Sequence, residues 1–172
     1  IYESAETLSQ LFAKKPYKLW YTFTDHNYTV DIPDTVTHLF VDCNYPLPNL
    51  PSKLLYLYLN YPFNTPILSL PSTLIYLNIN SNYSYVLPRL PDSLIYLFCD
   101  DRYKKPLPNI PESLKYLKTR IFNDYIDLLP VTLTHLHLNS GSETSILNNL
   151  PPCLIFLFIS YCRINFTLDN LP

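Results

Sequence analysis

Apolar residues in this chain fall into short blocks that repeat, each headed by a proline. Prolines at 33, 51, 71, 91, 111, 130, 151 and 172 stand 18, 20, 20, 20, 19, 21 and 21 residues apart. With each of these prolines as position 0, position +3 holds Val36, Leu54, Leu74, Leu94, Leu114, Leu133 and Leu154. Position +6 is always leucine: Leu39, Leu57, Leu77, Leu97, Leu117, Leu136 and Leu157. Position +8 holds Val41, Leu59, Ile79, Cys99, Thr119, Leu138 and Ile159. Alternation between +6 and +8 is the period of a strand with one face buried. Two more apolar columns precede the proline. Position −4 holds Leu47, Ile67, Leu87, Leu107, Ile126, Leu147 and Leu168, and position −1 holds Leu50, Leu70, Leu90, Ile110, Leu129, Leu150 and Leu171. No single block buries five apolar positions alone, so the pattern predicts stacked turns sharing one continuous core.

The prolines say how the chain returns from one strand to the next. Of the 17 in the chain, eight occupy position 0, Pro48, Pro88 and Pro108 lie at −3, and Pro46, Pro66 and Pro106 lie at −5. None falls in a strand core. A proline removes a backbone donor and clashes with a preceding helical turn, so the return path is extended or polyproline II and a helical bundle is excluded. The expected fold is mainly β: a solenoid of about seven turns, with a parallel sheet on its concave face and an extended, proline-rich convex side. Residues 1–29 read as an N-terminal cap and residues 30–172 as the array. In the cap, Ala5, Leu8, Leu11 and Phe12 predict a short helix within 4–15, ending at Pro16. Residues 17–24 then read as a degenerate first strand containing Trp20.

The signature L-x-x-L-x-L, seen seven times, is the strand half of a leucine-rich repeat. One return loop reads Phe63-Asn64-Thr65-Pro66-Ile67, with weaker echoes at Tyr103–Leu107, Phe122–Ile126 and Ile164–Leu168. Joined to the L-P-x-S-L-x-Y-L strand, this resembles the FNIP repeat, a leucine-rich-repeat subclass of social amoebae and of large DNA viruses that infect amoebae. The L-P-x-L-P phrasing is also similar to the short repeats of bacterial effector proteins. The FNIP resemblance implies a companion F-box and hence substrate recruitment to a host ubiquitin ligase. Because the chain contains no Met, a preceding segment is expected before Ile1. The loop Phe and Asn themselves read as structural, the ring packing beneath the convex side and the amide bonding to neighbouring backbone.

Positions +5, +7 and +9 face away from the core. They place Tyr56, Tyr76, Tyr96, Tyr116, His135 and Phe156 in one column and Tyr58, Phe98, Lys118, His137 and Phe158 in the next, with Arg120 at the margin. These twelve residues are the candidate partner-binding face: contiguous aromatic surface marks interaction sites, and Tyr and Arg are typical hot-spot residues. The competing reading is that stacked rings simply stabilise neighbouring strands. Lys118 and Arg120 favour an acidic feature on the partner.

Composition removes other functions. Only one glycine is present, Gly141, so glycine-dependent phosphate loops and dinucleotide sites are excluded. A net charge of −2, from 12 basic and 14 acidic residues without a basic stripe, argues against nucleic acid as partner. No apolar run reaches the roughly 18–20 residues that span a bilayer, and no membrane partner is expected. Cys43, Cys99, Cys153 and Cys162 lack the spacing of a disulfide framework or zinc site and read as reduced thiols of an intracellular protein, cytoplasmic or host-cytoplasmic. His135 and His137 point the same way but have no third ligand at hand, so no metal or other cofactor is expected. No Cys has a His base and Asp42, Asp100 and Asp101 form no poised pair, which leaves no catalytic residue. Stacking of a glycan on the tyrosines is conceivable. The sequence thus points to a non-enzymatic scaffold for a protein or peptide. The alternative is a structural protein that forms homo-oligomers through the same face or through its C-terminal end.

Overall fold

Every repeat begins with a tight turn on its position-0 proline. In the computed structural model, the amide of position +3 donates to that proline's carbonyl seven times over, from Val36 to Pro33 (3.0 Å) through to Leu154 to Pro151 (3.1 Å). Proline suits this place because its fixed φ prepares the turn and its missing N–H is not needed there. Strand entry is tied to the preceding turn. The Thr37 carbonyl accepts from both the Leu55 and Tyr56 amides (2.9 and 3.0 Å), and the same fork recurs at Leu55, Ile75, Ile95, Lys115 and Thr134. A hydroxyl at position +2 adds a third tie: Ser93 Oγ donates to the Leu74 carbonyl and Ser113 Oγ to that of Leu94, each at 2.7 Å. Thr73 Oγ1 does the same to Leu54 at 2.8 Å.

The structure describes residues 20–24, 31–80, 82–100, 102–120, 129–139 and 150–160. Eight strands follow in order: β1 (Trp20–Thr24), β2 (His38–Asp42), β3 (Tyr56–Asn60), β4 (Tyr76–Asn80), β5 (Tyr96–Cys99), β6 (Tyr116–Arg120), β7 (His135–Asn139) and β8 (Phe156–Ser160). They form one sheet in sequence order, and every neighbouring pair is parallel. Register follows the proline phase, with Leu39, Leu57, Leu77, Leu97, Leu117, Leu136 and Leu157 facing one another across the sheet. At a strand spacing of ~4.8 Å the sheet runs about 34 Å along its stack. The expected first strand is present, since Trp20 pairs with His38. The proposed cap helix and the loop echoes at 122–126 and 164–168 lie outside the described residues. Among the described residues there is no helix, and none long and apolar enough to cross a membrane.

The core is the five-column ladder read from the sequence. Positions +3 and +6 are buried from Val36 to Leu136, and Leu47, Leu50, Leu70, Leu107, Ile110, Leu129 and Leu150 pack against them from the return path. A sixth column is aromatic. Phe63, Tyr83 and Tyr103 are each at most 1 % exposed and stack at 6.0 and 6.2 Å. The two tyrosines add what phenylalanine cannot. Tyr83 OH accepts from the Ile67 amide (3.1 Å) and Tyr103 OH from the Leu87 amide (3.3 Å), each satisfying a buried donor on the preceding return path. Beside this column the asparagines link turns: Asn44 Oδ1 accepts from the Asn64 amide (2.8 Å), and Asn64 Oδ1 from the Ser84 amide (2.9 Å). The structural role expected of the loop Phe and Asn is the one seen.

Candidate functional site

The outer face of the sheet carries positions +5 and +7 as two columns of rings. In the +5 column His38 stacks on Tyr56 at 4.3 Å, Tyr96 on Tyr116 at 4.6 Å and Tyr116 on His135 at 4.2 Å. Tyr76 is tilted against Tyr56 and Tyr96 at 5.9 and 6.1 Å, and His135 meets Phe156 at 5.9 Å. Parallel in-register strands force this geometry, because equivalent residues of adjacent repeats sit one strand spacing apart, close to a stacking distance. The threonines before the histidines orient the imidazoles: Thr37 Oγ1 lies 2.8 Å from His38 Nδ1, and Thr134 Oγ1 lies 3.0 Å from His135 Nδ1.

The +7 column is broken twice. Phe40 stacks on Tyr58 at 4.3 Å, then Asn78 interrupts, Phe98 follows, Lys118 interrupts again, and His137 meets Phe158 edge-on at 4.4 Å. The first gap is filled from next door. Tyr76 leans out of its own column to reach Tyr58 at 4.8 Å and Phe98 at 5.3 Å, and Asn78 Nδ2 donates to its hydroxyl at 3.2 Å.

Rings that cover one another leave the sequence-derived face unevenly open. Tyr76 is 1 % exposed, Tyr58 6 % and His38 2 %, while Phe156 is 47 % exposed. Tyr56, Tyr96, Phe98, Tyr116, Lys118, Arg120, His135, His137 and Phe158 are half-buried. The open aromatic surface expected around Tyr58 and Tyr76 is therefore absent, because the two columns close over each other there; half-open rings remain at Phe40 and Tyr56 and continue along β5–β8. Burial pushes the phenol of Tyr76 above the ordinary tyrosine range, and the same desolvation, aided by the neighbouring Tyr76 and Tyr56 phenols, raises that of Tyr58.

Among the described residues no three His, Cys, Asp or Glu side chains come together as a metal site would require. Cys99 is fully buried and its thiol is pushed up to about 12 by desolvation first and by Asp100 second, the opposite of an activated nucleophile. Cys43 is also buried, Cys153 is exposed, and none of the three is in a disulfide. A thiol reagent at neutral pH is expected to modify Cys153 at once and to reach Cys43 and Cys99 only after denaturant is added. Prompt labelling of Cys99 in the native protein, read by mass spectrometry of its peptide, would contradict this packing.

Parallel strands one per repeat, an L-x-x-L-x-L core and a return path without helix among the described residues together define a leucine-rich-repeat solenoid. A similar solved structure is the crystal structure of CroV588, a giant-virus protein described as a novel circular leucine-rich-repeat structure. The two share 23 % identity and a TM-score of 0.57 over 81 % of this chain and 23 % of that one. The likeness is one of fold, and this chain spans less than a quarter of that protein's length. No family model matches the chain, and no curated protein does so.

Proposed function

We propose that this chain is a non-catalytic interaction scaffold that binds a protein or peptide on the outer face of its sheet. Leucine-rich-repeat solenoids generally serve as such scaffolds. The observation that carries the reading is the run of half-open rings from Tyr96 and Phe98 through Tyr116 to Phe156 and Phe158. Tyr96, Tyr116 and His135 stack on one another as ladder stabilisation requires, yet each is left half in water, and rings so placed are suited to a second apolar surface. The FNIP resemblance supports a narrower form of the proposal, in which the bound partner is delivered to a ubiquitin ligase inside the cell.

A photo-crosslinking phenylalanine analogue separates the readings. Placed at Phe98 or Phe156 in the full chain in cells, it is expected to capture another polypeptide, whereas at Leu68 on the return path it captures none. Equal capture from both faces refutes a dedicated outer face. Capture of this chain alone, with light scattering above the monomer mass, replaces recognition by self-assembly.

A further inference from the structure

Positive charge on the outer face is concentrated at one place. On strands β2 to β8 the outward positions +5, +7 and +9 carry two fixed cations, Lys118 and Arg120, both on β6 and about 6.8 Å apart along the strand. Register sets Lys118 beside His137 and Arg120 beside Asn139 on β7, and Phe98 on β5 pairs with Lys118 from the other side. Among the described residues neither cation has an acidic partner; the one ion pair there joins Arg89 and Asp92 on the return path. Asp100, just past β5, holds the +9 place beside Arg120 on the adjacent turn; its Oδ1 accepts from the Arg102 amide at 2.9 Å, and among the described residues it forms no ion pair with Arg120. Asp42, on β2, lies four strands from β6, roughly 19 Å away and about two Debye lengths at physiological salt.

The two breaks in the +7 column differ in kind. Asn78 is accommodated, because Tyr76 leans over it and accepts its hydrogen bond. Among the described residues Lys118 has no comparable partner, although an aromatic residue there would continue the stack between Phe98 and His137. A cation that interrupts a ring column, flanked by rings that lower the local dielectric, is placed to hold an anion more strongly than a lysine on open surface.

We propose that the outer face of β6 and β7, centred on Lys118 and Arg120 and bounded by Phe98 and Phe158, seats an acidic segment of a peptide partner, its carboxylates on the two cations and its apolar side chains on the neighbouring rings. This rests on the scaffold reading above and names the chemistry of the partner. Complementary charge of this sort sets register and speeds encounter more than it adds affinity, so its signature is salt dependence and selectivity.

Fluorescence anisotropy with a labelled Glu-Tyr repeat peptide, its Gln-Tyr counterpart of equal length and a labelled oligothymidylate tests it on the full chain. The Glu-Tyr peptide is expected to bind on the order of tenfold more tightly than the Gln-Tyr peptide at low salt, and the gap to close as salt rises. Lys118→Gln with Arg120→Gln is expected to abolish the gap. Lys104→Gln with Lys105→Gln, which removes the same charge from exposed return-path positions, is expected to preserve it, with circular dichroism confirming that both variants fold. Equal binding of the two peptides, an equal loss in the return-path variant, or tighter binding of the oligonucleotide each overturns the acidic-partner proposal. Equal binding of both peptides that is lost on Phe98→Ser would overturn the charge argument alone and leave recognition by the rings standing.

Discussion

Tyr76→Ala is expected to lower the free energy of unfolding by about 3–5 kcal/mol, the range for emptying a buried aromatic site. The ring touches Tyr58 and Phe98 across the columns and Tyr56 and Tyr96 along its own. It is almost entirely withdrawn from water, and Asn78 loses its acceptor with it. Tyr116→Ala, in the same column but half-exposed, is expected to cost about 1–2 kcal/mol, since partial burial gives up less apolar contact and lets water fill the space. Tyr76→Phe isolates the hydroxyl and should cost about 1 kcal/mol. Urea unfolding of the three variants measures all of this. Equal losses for Tyr76→Ala and Tyr116→Ala would mean that Tyr76 does not join the two columns. The same burial makes Tyr76 a poor probe of binding, because its removal damages the platform itself.

Alkaline pH is the second strong lever. Burial raises the phenols of Tyr58, Tyr76, Tyr83 and Tyr103 and the thiol of Cys99, while the hydrogen bonds that Tyr83 and Tyr103 accept from the Ile67 and Leu87 amides oppose the shift only in part. Each of these groups holds its proton in the folded state after the unfolded chain has released it. Their contribution is therefore whole below each group's ordinary pKa, about 9 for Cys99 and about 10 for the tyrosines, and is lost as pH climbs above it. Every such group costs about 1.4 kcal/mol per pH unit in that window. Several acting together against a total stability of roughly 5–15 kcal/mol predict cooperative unfolding within one to two pH units. Tyrosinate absorbance and far-ultraviolet circular dichroism should then change together. If the tyrosines ionise smoothly while the β signal persists, the rings are not held as described.

Much of the fold was legible because two periods coincide in this chain. Alternation within each block gives the strand, and the proline spacing gives the register, so that Leu77 opposite Leu57 and Leu97 could be read from leucine positions alone. Phe63 stood out only through its FNxPI loop, and Tyr83, without that motif, was not singled out although it lies 20 residues on in the same stack. The column is seen once neighbouring turns are superposed, and its hydroxyl contacts to Ile67 and Leu87 cross between turns that no single repeat displays.

The candidate face shows the same division. That Tyr56, Tyr96, Tyr116, His135 and Phe156 share one side of the sheet follows from residue parity, which a strand's backbone geometry imposes on any sequence. Which of those rings meet water does not follow from parity. It depends on side-chain rotamers chosen jointly by adjacent strands: Tyr76 leans into the space that Asn78 leaves and is buried with Tyr58, whereas Lys118 interrupts the same column with a half-exposed charge. Sequence alone determined the repeat, the parallel sheet and the side on which each residue lies, because those are set by covalent period. The tertiary structure decided which part of that side is surface, because burial is a property of neighbours brought together from different turns.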